Sequence, residues 1–89
     1  MPDALPALSD PAWQVRAGAA RCLAAADPAL ATEPLIAALS DPNLDVRKAA
    51  VLTLTTWSTD EAVATALEGA LQDPDADVRA YARHALTSG

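Results

Sequence analysis

Phenylalanine is absent from this chain of 89 residues, and two Trp and one Tyr are all its aromatic surface. A core without large rings must be built from Ala, Leu and Val. That suits closely packed helices and not a deep ligand cavity. A single cysteine, Cys22, excludes an internal disulfide and leaves the redox compartment open. Positive charge is also scarce: Lys48 and five Arg stand against nine Asp and three Glu, a net charge of -6. Phosphate binding needs a basic stripe that releases counterions, so this balance argues against nucleic acid. It argues equally against anionic membrane surfaces. No apolar run approaches the ~20 residues that span a bilayer. The opening Met1-Pro2-Asp3 lacks the basic stretch and apolar run of a secretory signal. The expectation is one cytoplasmic domain over residues 1–89.

What the chain does have is one pattern written three times. The first copy is Ala7-Leu8-Ser9-Asp10-Pro11, then Val15-Arg16, Ala19 and Leu23. The second is Ala38-Leu39-Ser40-Asp41-Pro42, Val46-Arg47, Ala50 and Leu54, and the third Ala70-Leu71-Gln72-Asp73-Pro74, Val78-Arg79, Ala82 and Leu86. Internal spacings are identical and the copies start 31 and 32 residues apart (positions 7, 38 and 70). Such a period, in which no copy can bury its apolar face alone, specifies stacked repeats. The fold expectation is all-α: an α-α superhelix of about three helix-turn-helix repeats, near residues 1–27, 28–58 and 59–89.

Each copy reads as helix, turn, helix. Proline lacks an N–H and disfavours helix at the residue before it, so Asp10-Pro11, Asp41-Pro42 and Asp73-Pro74 end the first helix. Asn43 and Asp75 are N-caps for the next one, and Asp45 and Asp77 suit its dipole; the first copy, with Ala12 and Gln14, starts more weakly. First helices are expected over Asp3–Leu8, Thr32–Leu39 and Asp60–Leu71, the second capped by Thr32 ahead of Pro34. Asp27-Pro28-Ala29-Leu30-Ala31 and Ser58-Thr59-Asp60 read as joints between copies. The strand propensity of Val51–Thr56 yields to the repeat register.

Counted from the motif Val, positions 0, +3, +4, +7 and +8 of the second helices share one face. They are Val15, Gly18, Ala19, Cys22 and Leu23; Val46, Ala49, Ala50, Thr53 and Leu54; Val78, Tyr81, Ala82, Ala85 and Leu86. These are read as inward. Positions +2, +5, +6 and +9 are read as outward: Ala17, Ala20, Arg21 and Ala24; Lys48, Val51, Leu52 and Thr55; Ala80, Arg83, His84 and Thr87.

The run Leu-x-Asp-Pro-x-x-x-Val-Arg-x-x-Ala-x-x-x-Leu resembles HEAT repeats, specifically the short HEAT-like class of phycobilisome-lyase-type proteins, from about Leu5 to Leu86. The resemblance implies a convex layer of first helices and a concave layer of second helices. It also implies a ladder between neighbouring repeats, made here by Asp10, Asp41 and Asp73 with Arg16, Arg47 and Arg79. A charge fixed in every copy beside a helix start is more easily explained by pairing than by catalysis. The first helix before Pro11 is short and no polar helix follows Leu86; the readings left open are an excised fragment, small ends that are tolerated, and an end face that pairs with another subunit or partner.

No constellation rises to a catalytic, cofactor or metal site. His84 is the only histidine, at an outward position without an organised set of ligands. Cys22 is read as a small core residue. Asp73, Asp75 and Asp77 alternate like a calcium loop but lack its glycine and bidentate Glu, so they read as turn and cap residues. Trp57 and Tyr81 are read as gap fillers. What remains is the outward face of the second helices, where Val51 and Leu52 form an apolar centre flanked by Arg21, Lys48, Arg83 and His84, with Trp13 and Leu44 near the same edge; the alternative is that Val51, Leu52 and Trp13 are packed by neighbouring helices. An apolar centre with a cationic rim fits a protein partner that is acidic or amphipathic. The expected function is therefore non-enzymatic: an adaptor or scaffold binding a protein through Trp13, Arg21, Leu44, Lys48, Leu52, Arg83 and His84. The alternative, which the resemblance allows, is an accessory subunit of a bilin lyase or other modifying enzyme.

Overall fold

In a computed structural model the described residues are 6–23, 28–57 and 60–88. A 3-10 turn at Pro6–Ser9 precedes α1 (Trp13–Cys22), α2 (Pro28–Ala38), α3 (Leu44–Leu54), a 3-10 turn at Thr55–Trp57, α4 (Glu61–Ala70) and α5 (Ala76–Ser88). The second helices α1, α3 and α5 pack side by side as one layer. The Pro6–Ser9 turn, α2 and α4 form the other and pack onto α1, α3 and α5. The result is a slab of 34 × 26 × 14 Å. The described residues contain no strand, and the chain is an all-α repeat solenoid.

The repeated Asp-Pro turn has one construction in all three copies. The motif Asp accepts, through Oδ1, the backbone N–H two residues on: Ala12 on Asp10 at 2.8 Å, Asn43 on Asp41 at 2.9 Å, Asp75 on Asp73 at 2.9 Å. The motif Arg folds back so that Nη1 donates to the carbonyl of the same Asp, at 2.8, 2.9 and 2.7 Å for Arg16, Arg47 and Arg79. Asn43 caps α3 by accepting from Asp45 N at 2.8 Å and Val46 N at 3.4 Å. Asp75 accepts from Val78 N at 3.0 Å, and Asp60 caps α4 through Ala62 N at 2.9 Å. Ala12, at the start of α1, offers no side-chain cap.

The first helices differ from the expectation. In the first copy Asp3–Leu5 lie outside the described residues, and Pro6–Ser9 form a single 3-10 turn in place of an α-helix. Helix α2 begins at Pro28, not after Thr32, so residues 28–31 of the segment read as a joint are helical, Asp27 lies outside the described residues, and Pro34 sits inside the helix. An internal proline removes one ladder bond. Leu35 and Ala31, fully buried on the same helix, keep α2 in place by packing.

The core runs through both layers: Leu35, Val46, Val51, Leu54, Val63, Leu67 and Val78 are its largest fully buried side chains. Trp57, Tyr81 and Leu86 are half-buried against it. The burial pattern corrects the face assignment of α1 and one residue of α3. Val51, read as outward, is fully buried, and Ala17 and Ala20 are buried as well. Val15, Gly18 and Cys22, read as inward, are exposed. The reason is position in the layer. Helix α3 is covered by α1 on one side and α5 on the other, so its +5 residue is enclosed. Among the described residues helix α1 has only α3 beside it in this layer, so the side that α3 and α5 turn toward the preceding repeat is open on α1. Thr53, the one hydroxyl at an inward position, is buried because its Oγ1 donates to the Ala20 carbonyl at 2.7 Å.

Candidate functional site

Two of the three motif arginines contact the motif Asp of the following repeat. Arg16 Nε lies 2.7 Å from Asp41 Oδ2 and its Nη2 3.1 Å from Oδ1, a two-point pair joining the first repeat to the second. Arg47 Nε lies 2.9 Å from Asp73 Oδ2 in the next junction. Here the N–H is not directed along a hydrogen bond, so the contact is an ion pair by distance alone. Burial pushes the Asp41 carboxyl up, but the Arg16 hydrogen bond, the Asn43 N–H and the charges of Arg16 and Arg47 outweigh it. Its pKa is held below the ordinary carboxylate range. The Arg16 guanidinium, hydrogen-bonded to Asp41, is held above its own ordinary value against partial desolvation. Asp10 and Arg79 have no such cross-repeat partner among the described residues.

The outward residues of the second helices fall on one stripe with a four-residue step. Trp13 and Arg21 lie on α1, with the buried Ala17 between them in register; Leu44, Lys48 and Leu52 lie on α3, and Ala76, Ala80 and His84 on α5. In helical geometry a four-residue step keeps side chains on one face. Among the described residues the large apolar side chains that stay exposed are Trp13 at 39%, Val15 at 43%, Leu44 at 41% and Leu52 at 48%. Three of these are on the stripe and none is on α2 or α4. Lys48 reaches across to α5, where its Nζ lies 3.4 Å from Asp77 Oδ2. Partial burial works against that ammonium, but Asp77 holds its pKa above the ordinary lysine range.

Arg83 stands one residue off the stripe, at the +5 register of the enclosed Ala20 and Val51. It lies on the flank of α5 that in α1 and α3 meets the next repeat. The structure thus groups six of the seven expected partner residues on one face and sets Arg83 at its edge. Asp73 and Asp75, the first two members of the acidic alternation, spend their carboxylates on backbone N–H groups and on Arg47. A half-open groove of about 260 Å³ between α2 and α4, lined by Ile36, Leu39, Ser40, Ala66 and Gly69, converges on no polar set beyond Asp73. No group of His, Cys, Asp and Glu among the described residues is arranged to hold a metal ion. No helix among them is long and apolar enough to cross a membrane.

Two layers of antiparallel helices, stitched by a repeated Asp-Arg contact, define a protein of the helical-repeat class. The family model for HEAT repeats matches residues 1–87, and the chain belongs to that family. The match is to HEAT repeats as a class and does not assign the phycobilisome-lyase branch. No curated protein matches the chain.

Proposed function

We propose that the chain is a non-catalytic protein-binding module, an adaptor or scaffold that holds an amphipathic or acidic segment of another protein against the second-helix layer. One observation carries this reading: exposed large apolar side chains gather on the Trp13–Leu44–Leu52 stripe, with Arg21, Lys48 and His84 on the same face. Apolar anchors with a polar rim are how protein interfaces concentrate binding energy. Membership of a repeat family whose members commonly act as interaction scaffolds supports it. Arg83 contributes from the edge. The competing reading, an accessory subunit of a bilin lyase or other modifying enzyme, has no structural feature that favours it.

The test is a capture experiment from host lysate with three proteins side by side. Leu44→Asp/Leu52→Asp should lose a partner that the parent chain retains at near-stoichiometric level, with helicity by circular dichroism unchanged. Val15→Asp, on the exposed flank of α1 away from the stripe, should retain it. Loss in both variants, or in neither, removes the stripe from consideration.

A further inference from the structure

We propose that a second copy of this chain docks head-to-tail on the first, with Asp10 of the following copy receiving Arg79 of the preceding one. In each internal junction of the ladder the Arg of one repeat meets the motif Asp of the next: Arg16 with Asp41, Arg47 with Asp73. Continued by the same rule, the series asks for a carboxylate opposite Arg79 and a guanidinium opposite Asp10. Each has its local turn contact in place, Arg79 Nη1 on Asp73 O and Asp10 Oδ1 on Ala12 N. Each is thus oriented as its internal equivalents are, and neither has an ion-pair partner among the described residues. The two flanks carry opposite members of one pair.

The apolar residues obey the same arithmetic. At register 0, Val46 is 1% exposed and Val78 is fully buried, whereas Val15 is 43% exposed. At +3 and +7, Ala49, Thr53 and Ala85 are buried, while Gly18 and Cys22 are open. On the other flank, Ala20 and Val51 at +5 are enclosed and Arg83 is exposed. A translated copy would cover Val15, Gly18 and Cys22 with the α5 flank. Arg83 is larger than Ala20 or Val51. Its counterpart flank is also the smallest of the three, and the space beside Gly18 Cα is empty. The contact between Thr53 Oγ1 and Ala20 O at 2.7 Å sets the register. Carried one copy onward, it places Cys22 of the following copy beside Arg83.

This interface is heterologous: one flank binds a different flank, so association does not close at a dimer but continues as a filament of repeats. The net charge of -6 opposes it at low salt, so physiological ionic strength is the condition to use. Docking covers Arg83 at the edge and leaves the Trp13–Leu44–Leu52 stripe itself uncovered.

Sedimentation equilibrium from micromolar to millimolar chain concentration tests it. The parent chain should show a weight-average mass that keeps rising past the dimer. Asp10→Arg alone and Arg79→Asp alone should each stay monomeric, because each sets like charges against one another. Mixed one to one, they should associate again, since every junction then pairs opposite charges. Arg79→Asp also loses its own turn contact, so helicity is checked first. A second measurement does not depend on that variant. Arg83→Cys, mildly oxidised, should give a ladder of dimers, trimers and higher species through Cys22, abolished by Cys22→Ser. A parent chain monomeric at every concentration, a mass that stops at two, charge reversals without effect, or cross-linking that ends at dimers would each overturn the head-to-tail arrangement.

Discussion

Arg16 and Asp41, 25 residues apart in the chain, close a two-point contact of 2.7 and 3.1 Å while the same carboxylate holds the Asn43 N–H at 2.9 Å. One aspartate thus fixes its own turn and the junction to the preceding repeat. Asp10 makes the turn contact alone. Asp41→Ala should therefore cost about 2 kcal/mol, at about 1 kcal/mol for each lost contact. That corresponds to roughly 10 °C in Tm for a domain of this size. Asp10→Ala, which loses only the turn contact, should cost about half as much. Equal losses in thermal melts would mean that the ladder contributes nothing to stability.

The pH dependence of stability rests on the same residue. The folded pKa of Asp41 lies below its unfolded value, so the unfolded chain binds more protons in the acid range. The stability this supplies is fully present above the unfolded value of about 4 and is lost as pH falls through the folded pKa. Urea titrations should show Asp41→Asn clearly less stable than the parent at pH 7. The gap should narrow steadily below pH about 4. A gap independent of pH would assign the effect to packing and not to the charge.

Adjacent residues on α3 should respond in opposite ways. Val51 is fully buried and Leu52 about half exposed. Val51→Asp places an unpaired charge in the fully buried core and should prevent folding. Leu52→Asp should change stability by less than about 0.5 kcal/mol. Circular dichroism and thermal melts of the two variants decide the matter, and a folded Val51→Asp protein would contradict the enclosed position of that side chain.

Cys22 is exposed on α1. Ellman's reagent should titrate one thiol per chain in native buffer, at a rate that urea raises little. Protection until unfolding would restore Cys22 to the core, or show that a second copy covers it. Dilution separates these, because protection by a second copy disappears at low chain concentration.

Much is legible in the linear pattern because the repeat is strict. Three copies of Asp-Pro, Val-Arg, Ala and Leu at fixed spacing determine the helix-turn-helix unit, the turn positions and the Asn43 and Asp75 caps. All of these depend on residues within a few positions of each other or on one residue recurring per copy, whereas which Arg meets which Asp across a junction is decided by the stack. Proline propensity starts α2 four residues too late because it is local, whereas buried Ala31 and Leu35 hold that helix through the opposite layer. The pattern also misassigns the face of α1, because identical spacing gives identical burial to all copies. Burial is decided instead by whether a neighbouring helix lies on each flank. Val15 and Val46 share a motif position; only the stack, which covers one and leaves the other open, makes one of them core and the other surface.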